Sequence, residues 1–371
     1  MVYIACFLVS ISLSYAASRS KNKGVIFLCS LLCILIPCIL GGLRAHGIGT
    51  DTRTYGRPDC DAALHSSSFD AFRSVCRREW GYGLLCYTVM NTLGSENWCY
   101  FFYQLITISC FYIGAYKHRK NISLPMIMTV WFLMFYNTTY NNMRQNMAGS
   151  IIFMGFNNIE EKKYLRFLPY VFVATFFHRS AAITIVLLVA MHYVMTSDFI
   201  KKNIWTKILV FYGSAGGLLL TRTIIAIAAG MIPLLSRYIH YLNNKYNEVQ
   251  ATAFMALIMF AEIIMLTLYR RKAARTLKGD SFCRNNIEFY RFNLVFCLIF
   301  QLFVKFFIER VLFYSELVNV LVLAAMPRFV KEKYFRAFVM VSVLFVMAFY
   351  WLWLFVRGNN SRTWPYKSII L

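Results

Sequence analysis

Charge is scarce in this sequence, and negative charge most of all. Only 15% of its 371 residues are Asp, Glu, Lys or Arg, and the 16 acidic residues are outnumbered by 39 basic ones. Set against 59% hydrophobic content and a mean hydropathy of +0.54, that scarcity excludes a soluble chain of two or three domains, whose surfaces need polar cover. No stretch longer than roughly 50 residues lacks an apolar run of spanning length. Also missing are CxxC pairs, zinc-ligand spacings, a P-loop and a GxGxxG turn, so nucleotide and metal-ion chemistry have no motif to stand on. No dense carboxylate cluster offers a hard-cation site, and neither a metal nor a cofactor is expected. The formal net charge of +23 does not point to nucleic acid, because the basic residues are not gathered in one solvated domain.

What the sequence does have is a succession of apolar runs of about 15 to 20 residues, enough for about 30 Å of hydrocarbon at 1.5 Å rise per residue. They lie near 2–17, 24–43, 98–116, 122–139, 143–157, 165–178, 181–196, 204–221, 250–269, 287–307, 310–327 and 336–356. Basic clusters at Arg19/Lys21/Lys23, Lys117/Arg119/Lys120, Lys162/Lys163/Arg166, Lys201/Lys202/Lys207, Arg270/Arg271/Lys272/Arg275/Lys278 and Arg328/Lys331/Lys333/Arg336 fall in every second connection. The positive-inside rule makes those connections cytoplasmic and puts both termini outside. The expected fold is all-α: one polytopic transmembrane domain over 1–371 with about 12 helices. Two of these are short or broken near 165–196, and two larger outer loops, about 44–97 and 222–249, cover the active-site face.

The first run ends in Tyr15-Ala16-Ala17-Ser18 like a signal peptide, but no basic residue precedes its apolar core. An uncleaved first helix that starts outside fits better. Most of the 11 cysteines sit inside spans as small apolar residues, and only Cys60 and Cys76 are read as sharing the outer loop, where an oxidising compartment would allow them to pair.

Two polar interruptions stand out from the membrane pattern: Asn141-Asn142-Met143-Arg144-Gln145 and Phe177-His178-Arg179-Ser180-Ala181. Ionisable groups at such depth are expensive and are retained to line cavities or bind charged ligands. Arg144 falls in the first turn of a spanning helix, where its charge opposes the macrodipole and calls for an anion. Ala148, Gly149 and Ser150 behind it allow another helix to approach closely. At His178 two runs, each too short to span comfortably, meet in a broken or tilted pair. His178 suits a general acid or base there, or simply the end of a helix.

The topology also leaves Arg44, Arg53, Arg57, Arg73, Arg77, Arg78, Arg144, Arg179, Arg222, Arg237 and Arg310 on the outer side. Guanidinium keeps its charge when partly desolvated and matches phosphate oxygens in a fork. The alternative is that individual loop arginines meet lipid headgroups or pair with Asp59, Asp61, Asp70 and Glu79. The outer loop opens with Gly47-Ile48-Gly49-Thr50-Asp51-Thr52-Arg53-Thr54-Tyr55, where Asp51 suits a turn or a helix cap. It continues with Arg78-Glu79-Trp80-Gly81-Tyr82-Gly83, a carboxylate beside aromatic rings, which fits a sugar site or an interfacial helix. The stretch Arg237 to Tyr246, with Tyr238 and Tyr241, reads equally as a substrate cover or an amphipathic anchor.

Taken in order, Gly49-Thr50-Asp51-Thr52 with Tyr55, Glu79 with Gly81-Tyr82, Arg144-Gln145 with Ala148, Phe177-His178-x-Ser180-Ala181, Arg310 with Tyr314, and Pro365-Tyr366-Lys367-Ser368 resemble the EpsG branch of the Wzy-type polysaccharide polymerases. The resemblance implies a bacterial inner-membrane enzyme, active on the periplasmic face, that joins undecaprenyl-pyrophosphate-linked repeat units into capsule, exopolysaccharide or O-antigen. It implies lipid-linked oligosaccharides and membrane lipids as partners, with a flippase and a chain-length regulator nearby and no nucleic acid. Against that chemistry, His178, Glu79 and Asp51 are candidate acid/base residues, and Arg144 and Arg310, then Arg179, Arg222 and Arg237, are candidate pyrophosphate ligands. Tyr55, Trp80, Tyr82, Gln145, Tyr238 and Tyr314 are candidates for sugar contact. Rival classes are a lipid-linked oligosaccharide flippase or transporter, an integral membrane O-acyltransferase and a glycan ligase; a transporter should show repeat symmetry between its halves, and the sequence shows none.

Overall fold

The computed structural model describes residues 1–197, 227, 249–277, 283–303 and 309–369. Among them there is no β-strand, only an isolated bridge between Arg44 and Ser368. Five helices are long and apolar enough to cross a membrane: Val2–Arg19, Lys23–Gly42, Glu96–His118, Leu312–Phe329 and Lys333–Arg357. Shorter apolar helices cover Leu124–Met134, Tyr164–Phe177, Arg179–Met195 and Phe254–Leu268. The chain is a multi-pass helical membrane protein. The expected run at 204–221 and the outer loop at 222–249 lie outside the described residues.

The described chain divides into two compact units, residues 1–182 with 337–371, and residues 183–336. The first contains α1 (Val2–Arg19), α2 (Lys23–Gly42), α3 (Arg57–Leu64), α4 (Phe69–Val75), α5 (Trp80–Leu93), α6 (Glu96–His118), α7 (Leu124–Met134), α8 (Met143–Gly155), α9 (Asn157–Glu160) and α10 (Tyr164–Phe177). The expected span at 122–139 is interrupted: α7 stops at Met134 and the chain continues as a 3-10 turn, Tyr136–Tyr140, before α8. Aromatic stacking fills the space between α6, α7 and α8. Phe111 lies 4.7 Å from Trp131 and 4.4 Å from Phe153 between ring centroids, and all three are wholly buried. Such pairs are worth about 0.5–1.5 kcal/mol beyond their area. Ala148, Gly149 and Ser150 are buried, and Gly114 of α6 also lets that helix come close to α8. A Cβ there would stand 2.8 Å from the Phe153 carbonyl oxygen. One turn beyond Gly114, His118 and Glu160 form a buried pair at 2.9 Å.

The segment 44–97, expected as an outer loop, is a folded layer. α3, α4 and α5 share a core with α6 and α8 made of Tyr55, Cys60, Ala63, Phe72, Cys76, Tyr82, Cys86, Val89, Met90, Cys99, Tyr100, Tyr103, Met143 and Met147. Cys60 and Cys76 are both free and buried. The neighbour of Cys60 is Cys86, with the sulfurs 3.7 Å apart.

Residues 359–369 return to the C-terminal end of α2. The Lys367 carbonyl accepts from the Ala45 N–H at 2.9 Å, Ile369 N–H donates to the Leu43 carbonyl at 3.0 Å, and Arg362 accepts from the Gly49 N–H at 3.1 Å. Tyr3 donates from α1 to the Thr363 carbonyl at 3.0 Å, and Asn137 joins Thr363 to Trp351 through hydrogen bonds of 2.8 Å on each side. The Trp364–Pro365 peptide is cis.

The second unit begins with the π-type turn Ile185–Ala190 and α11 (Met191–Met195), and continues with α12 (Val249–Leu268), α13 (Arg270–Leu277), α14 (Cys283–Phe303) and α15 (Glu309–Phe329). Polar groups bridge its helices: Asn293 of α14 donates to Asn319 of α15 at 2.8 Å and to the Ser315 carbonyl at 3.1 Å, and His192 meets Asn286 at 2.7 Å. In lipid, such bonds replace the polar surface that water would otherwise satisfy. α16 (Lys333–Trp351) lies mostly in the first unit.

Gly49 shows how closely the 44–97 layer is fitted to the helices below it. Its φ of +85° is a left-handed conformation, and a Cβ would fall 2.5 Å from the Tyr140 carbonyl oxygen. Gly49→Ala is expected to cost about 1–3 kcal/mol, seen as a lower melting temperature in detergent. Gly47→Ala, whose Cβ meets nothing within 4 Å, should leave it unchanged.

Candidate active site

The start of α8 is the meeting point of the polar residues. A helix N-terminus exposes N–H groups that need acceptors, and here a distant loop supplies one: Asp51 Oδ2 accepts from the Met143 N–H at 3.3 Å. The expected capping role of Asp51 therefore exists, but for α8, 92 residues away. Tyr55 donates its hydroxyl to the same Asp51 oxygen, and Asn141 Oδ1 accepts from the Thr50 N–H at 2.6 Å. Gly49-Thr50-Asp51-Thr52 is thus a cap laid over the polar start of α8.

One residue into α8, Arg144 Nη1 donates to Glu79 Oε2. The other oxygen of the same carboxylate lies 3.3 Å from His178 Nδ1 and 3.4 Å from the Arg179 N–H. The two interruptions noticed in the sequence are therefore joined through Glu79, at the start of α5. The three side chains are largely enclosed, with exposures of 10% for Glu79, 20% for Arg144 and 14% for His178. Below Arg144 lie two aromatic faces: its Cζ is 4.8 Å from the Tyr55 ring centroid and 5.8 Å from that of Tyr82. Buried Arg144 Nε makes no hydrogen bond, so a donor is left over after the ion pair is formed.

Local structure explains why the three converge. α10 ends at Phe177 and His178 adopts an extended conformation, φ −155° and ψ 116°, which confirms the break expected there. α5 starts against that end: a Cβ on Gly81 would be 3.0 Å from the Phe176 carbonyl oxygen, so a side chain there would press on the end of α10. Arg73 braces the turn before α5 by donating to the Arg78 carbonyl at 2.6 Å.

Burial works against ionisation of Glu79, but His178 and the Arg144 charge outweigh it and hold its carboxyl down at about 2. Glu79 is thus an anion that positions its neighbours, and a poor proton acceptor at neutral pH. His178 Nδ1 stands beside that carboxylate at ion-pair distance, without hydrogen-bond geometry.

The other sequence candidates separate clearly. Tyr82 is fully buried and stacks on Tyr103 at 5.1 Å, and Tyr55 is 5% exposed, so both rings form the floor under Arg144 and offer no open face. Trp80 is the exposed ring, at 56%. Gln145 is buried in α8. Arg179 brings its backbone N–H to Glu79, with its side chain exposed. Arg57 and Arg78 pair with Asp61 and Asp59 at 3.8 and 3.2 Å. Tyr314 is buried within the second unit. Arg310 stands in the first turn of α15, with its side chain outside the described residues, as are Arg222, Arg237, Tyr238 and Tyr241.

Arg44 is a site residue that charge counting alone did not single out. It is 1% exposed, has no acidic partner among the described residues, and rests between Tyr100 and Tyr140, 4.1 and 4.7 Å from their centroids. Its Nη2 points to Met143 Sδ at 3.1 Å, directly beneath the start of α8.

A family model described as the EpsG family matches residues 25–368. The chain belongs to the EpsG family. That is a family of Wzy-like polymerases, and the chain is a polysaccharide-polymerase-like membrane protein. The matched range holds every residue of the Asp51, Glu79, Arg144 and His178 cluster. No curated protein and no solved structure matches the chain.

Because the Glu79 carboxyl is held below its ordinary range, its stabilisation is complete above about pH 4.5 and is lost as the pH falls toward about 2. Glu79→Gln strands Arg144 without its anion and is expected to cost about 3 kcal/mol at neutral pH. In thermal melts of the detergent-solubilised protein, the gap between wild type and Glu79→Gln should close over that acidic window. A gap independent of pH would contradict an ionised Glu79.

Proposed function

We propose that this protein polymerises oligosaccharide repeat units carried on a polyprenyl pyrophosphate, of the undecaprenyl type, at the outer face of a bacterial inner membrane. The observation that supports this reading most directly is the Glu79, Arg144 and His178 constellation. It offers a guanidinium with an uncommitted, buried Nε–H beside an oriented imidazole. The alternation of basic clusters gives about twelve crossings, with this constellation on the outer side, where lipid-linked oligosaccharide would be met.

In the proposed reaction a hydroxyl of the incoming unit attacks the anomeric carbon of the growing chain. The new carbon–oxygen bond forms as the bond to the pyrophosphate oxygen breaks, and the lipid pyrophosphate leaves. Arg144 meets the charge developing on the leaving group, most effectively because the site is largely enclosed. His178 Nε2 takes the proton of the attacking hydroxyl, and Glu79 stabilises the imidazolium that forms at Nδ1. Trp80 offers an open ring face for a pyranose. Arg310 and the arginines of the 222–249 segment are proposed as further phosphate ligands.

Deleting the gene and resolving the surface glycan by length tests the reading: single repeat units are expected, whereas full-length glycan would overturn it. Complementation with Arg144→Lys, which keeps the charge but loses the fork, is expected to lower polymer yield about 100-fold. His178→Ala should lower it about 100-fold or more, and normal polymer length in that strain would remove His178 as the base.

A further inference from the structure

The helices that carry Glu79 also bring together three cysteines that the proposed reaction does not use. Cys60 lies in α3, Cys86 in the middle of α5 and Cys99 in the first turn of α6. Their sulfur atoms all lie within 4.8 Å of one another, with Cys60 and Cys86 at 3.7 Å. Each residue is 0% exposed and each is a free thiol. We propose that Cys60, Cys86 and Cys99 form a three-thiolate site for one soft d10 metal ion, Zn(II) or Cu(I).

Three considerations carry the assignment. A metal bonded to sulfur at about 2.3 Å holds three sulfurs at the corners of a triangle with edges of about 4 Å; the Cys60–Cys86 edge is 3.7 Å and the other two are within 4.8 Å. A disulfide would instead bring two of them to about 2.05 Å and leave the third buried beside it. The surroundings are also wrong for a hard cation, which needs oxygen ligands: the cluster sits in the aromatic and aliphatic core with Ala63, Val89 and Met90. Finally, the buried Tyr103 hydroxyl belongs to the same core as the three cysteines and makes no hydrogen bond. A metal-bound thiolate is the acceptor such a donor needs, and outer-sphere donors of this kind orient and stabilise thiolate ligands.

Binding would release the three thiol protons to solvent and join α3, α5 and α6 at one point. That point lies in the same core as Tyr55 and Tyr82, so the ion would fix the floor on which Arg144 rests. The ion itself would take no part in the transfer reaction. This inference does not depend on the proposed activity, and its test reads metal binding alone.

Co(II) is a suitable probe, because thiolate ligation gives it a charge-transfer absorption that an oxygen-ligated ion lacks. Titration of the full chain in detergent, reduced and anaerobic, is expected to saturate at about one ion per chain. Zn(II) or Cu(I) should displace the Co(II) and abolish the band. Cys86→Ser or Cys99→Ser should weaken binding at least about tenfold, whereas Cys76→Ser, in the same core but outside the cluster, should bind as wild type does. Should the cluster variants fail to fold, thiol counting on denatured, unreduced wild type keeps the question open to refutation. Two thiols missing at Cys60 and Cys86 would show a disulfide and overturn the site. An absent charge-transfer band, or one unchanged in Cys86→Ser, would overturn it equally.

Discussion

A positive charge at the start of a helix is unfavourable, and in this protein the arrangement around α8 follows from meeting that constraint. Arg144 sits where the α8 macrodipole repels it and where water is largely excluded. Glu79 supplies the opposing charge from α5, and Asp51 caps the neighbouring N–H from the loop after α2. Because the Glu79 carboxylate has a second oxygen, it also fixes His178 at the broken end of α10. A single acidic side chain thus holds three segments far apart in the chain, in a protein with only 16 acidic residues. Few carboxylates means few competing partners for Arg144.

The two guanidiniums near this site are kept charged by different means. Arg144 has a carboxylate and two ring faces; Arg44 has ring faces, a thioether and a carbonyl, and no acid among the described residues. Cation–π attraction is stronger when the cation is desolvated, which makes an aromatic cage a workable home for Arg44 at 1% exposure. Each of the two also has a buried Nε that makes no hydrogen bond, so what separates them is the carboxylate beside Arg144. Arg44 is thus enclosed by rings, a carbonyl and a thioether, whereas Arg144 is 20% exposed and faces an anion.

Much of this was visible in the sequence. The apolar runs marked the helices, the interruption at His178 marked a real end of helix, and Arg144 fell in the first turn of α8 as its flanking residues implied. The resemblance to the EpsG family agrees with the family match. What periodicity does not encode is which distant polar residues pair. Glu79 read equally well as an acid/base or as a sugar ligand, because nothing local shows that its two oxygens face Arg144 and His178. The 44–97 segment read as a loop, since α3, α4 and α5 are too short and too mixed in composition for a spanning pattern, and their shared core exists only after they meet α6 and α8. Tyr82 has the composition of a sugar platform and the burial of a floor. Cys60, Cys86 and Cys99 have no motif spacing, and only the helix packing brings their sulfurs together.

The return of residues 359–369 to the C-terminal end of α2 has a consequence for how the protein is made. Gly49, at the head of the Asp51 loop, donates its N–H to Arg362, and Tyr3 of the first helix binds Thr363. Ribosomes deliver residues 359–369 only after the whole of 183–336 has been synthesised and handed to the membrane. The first helices must therefore wait, with the Asp51 loop short of its support, until a segment more than 300 residues downstream arrives. Assembly of this layer is thereby tied to completion of the chain, so a ribosome that stalls in the second unit leaves behind an unfinished site.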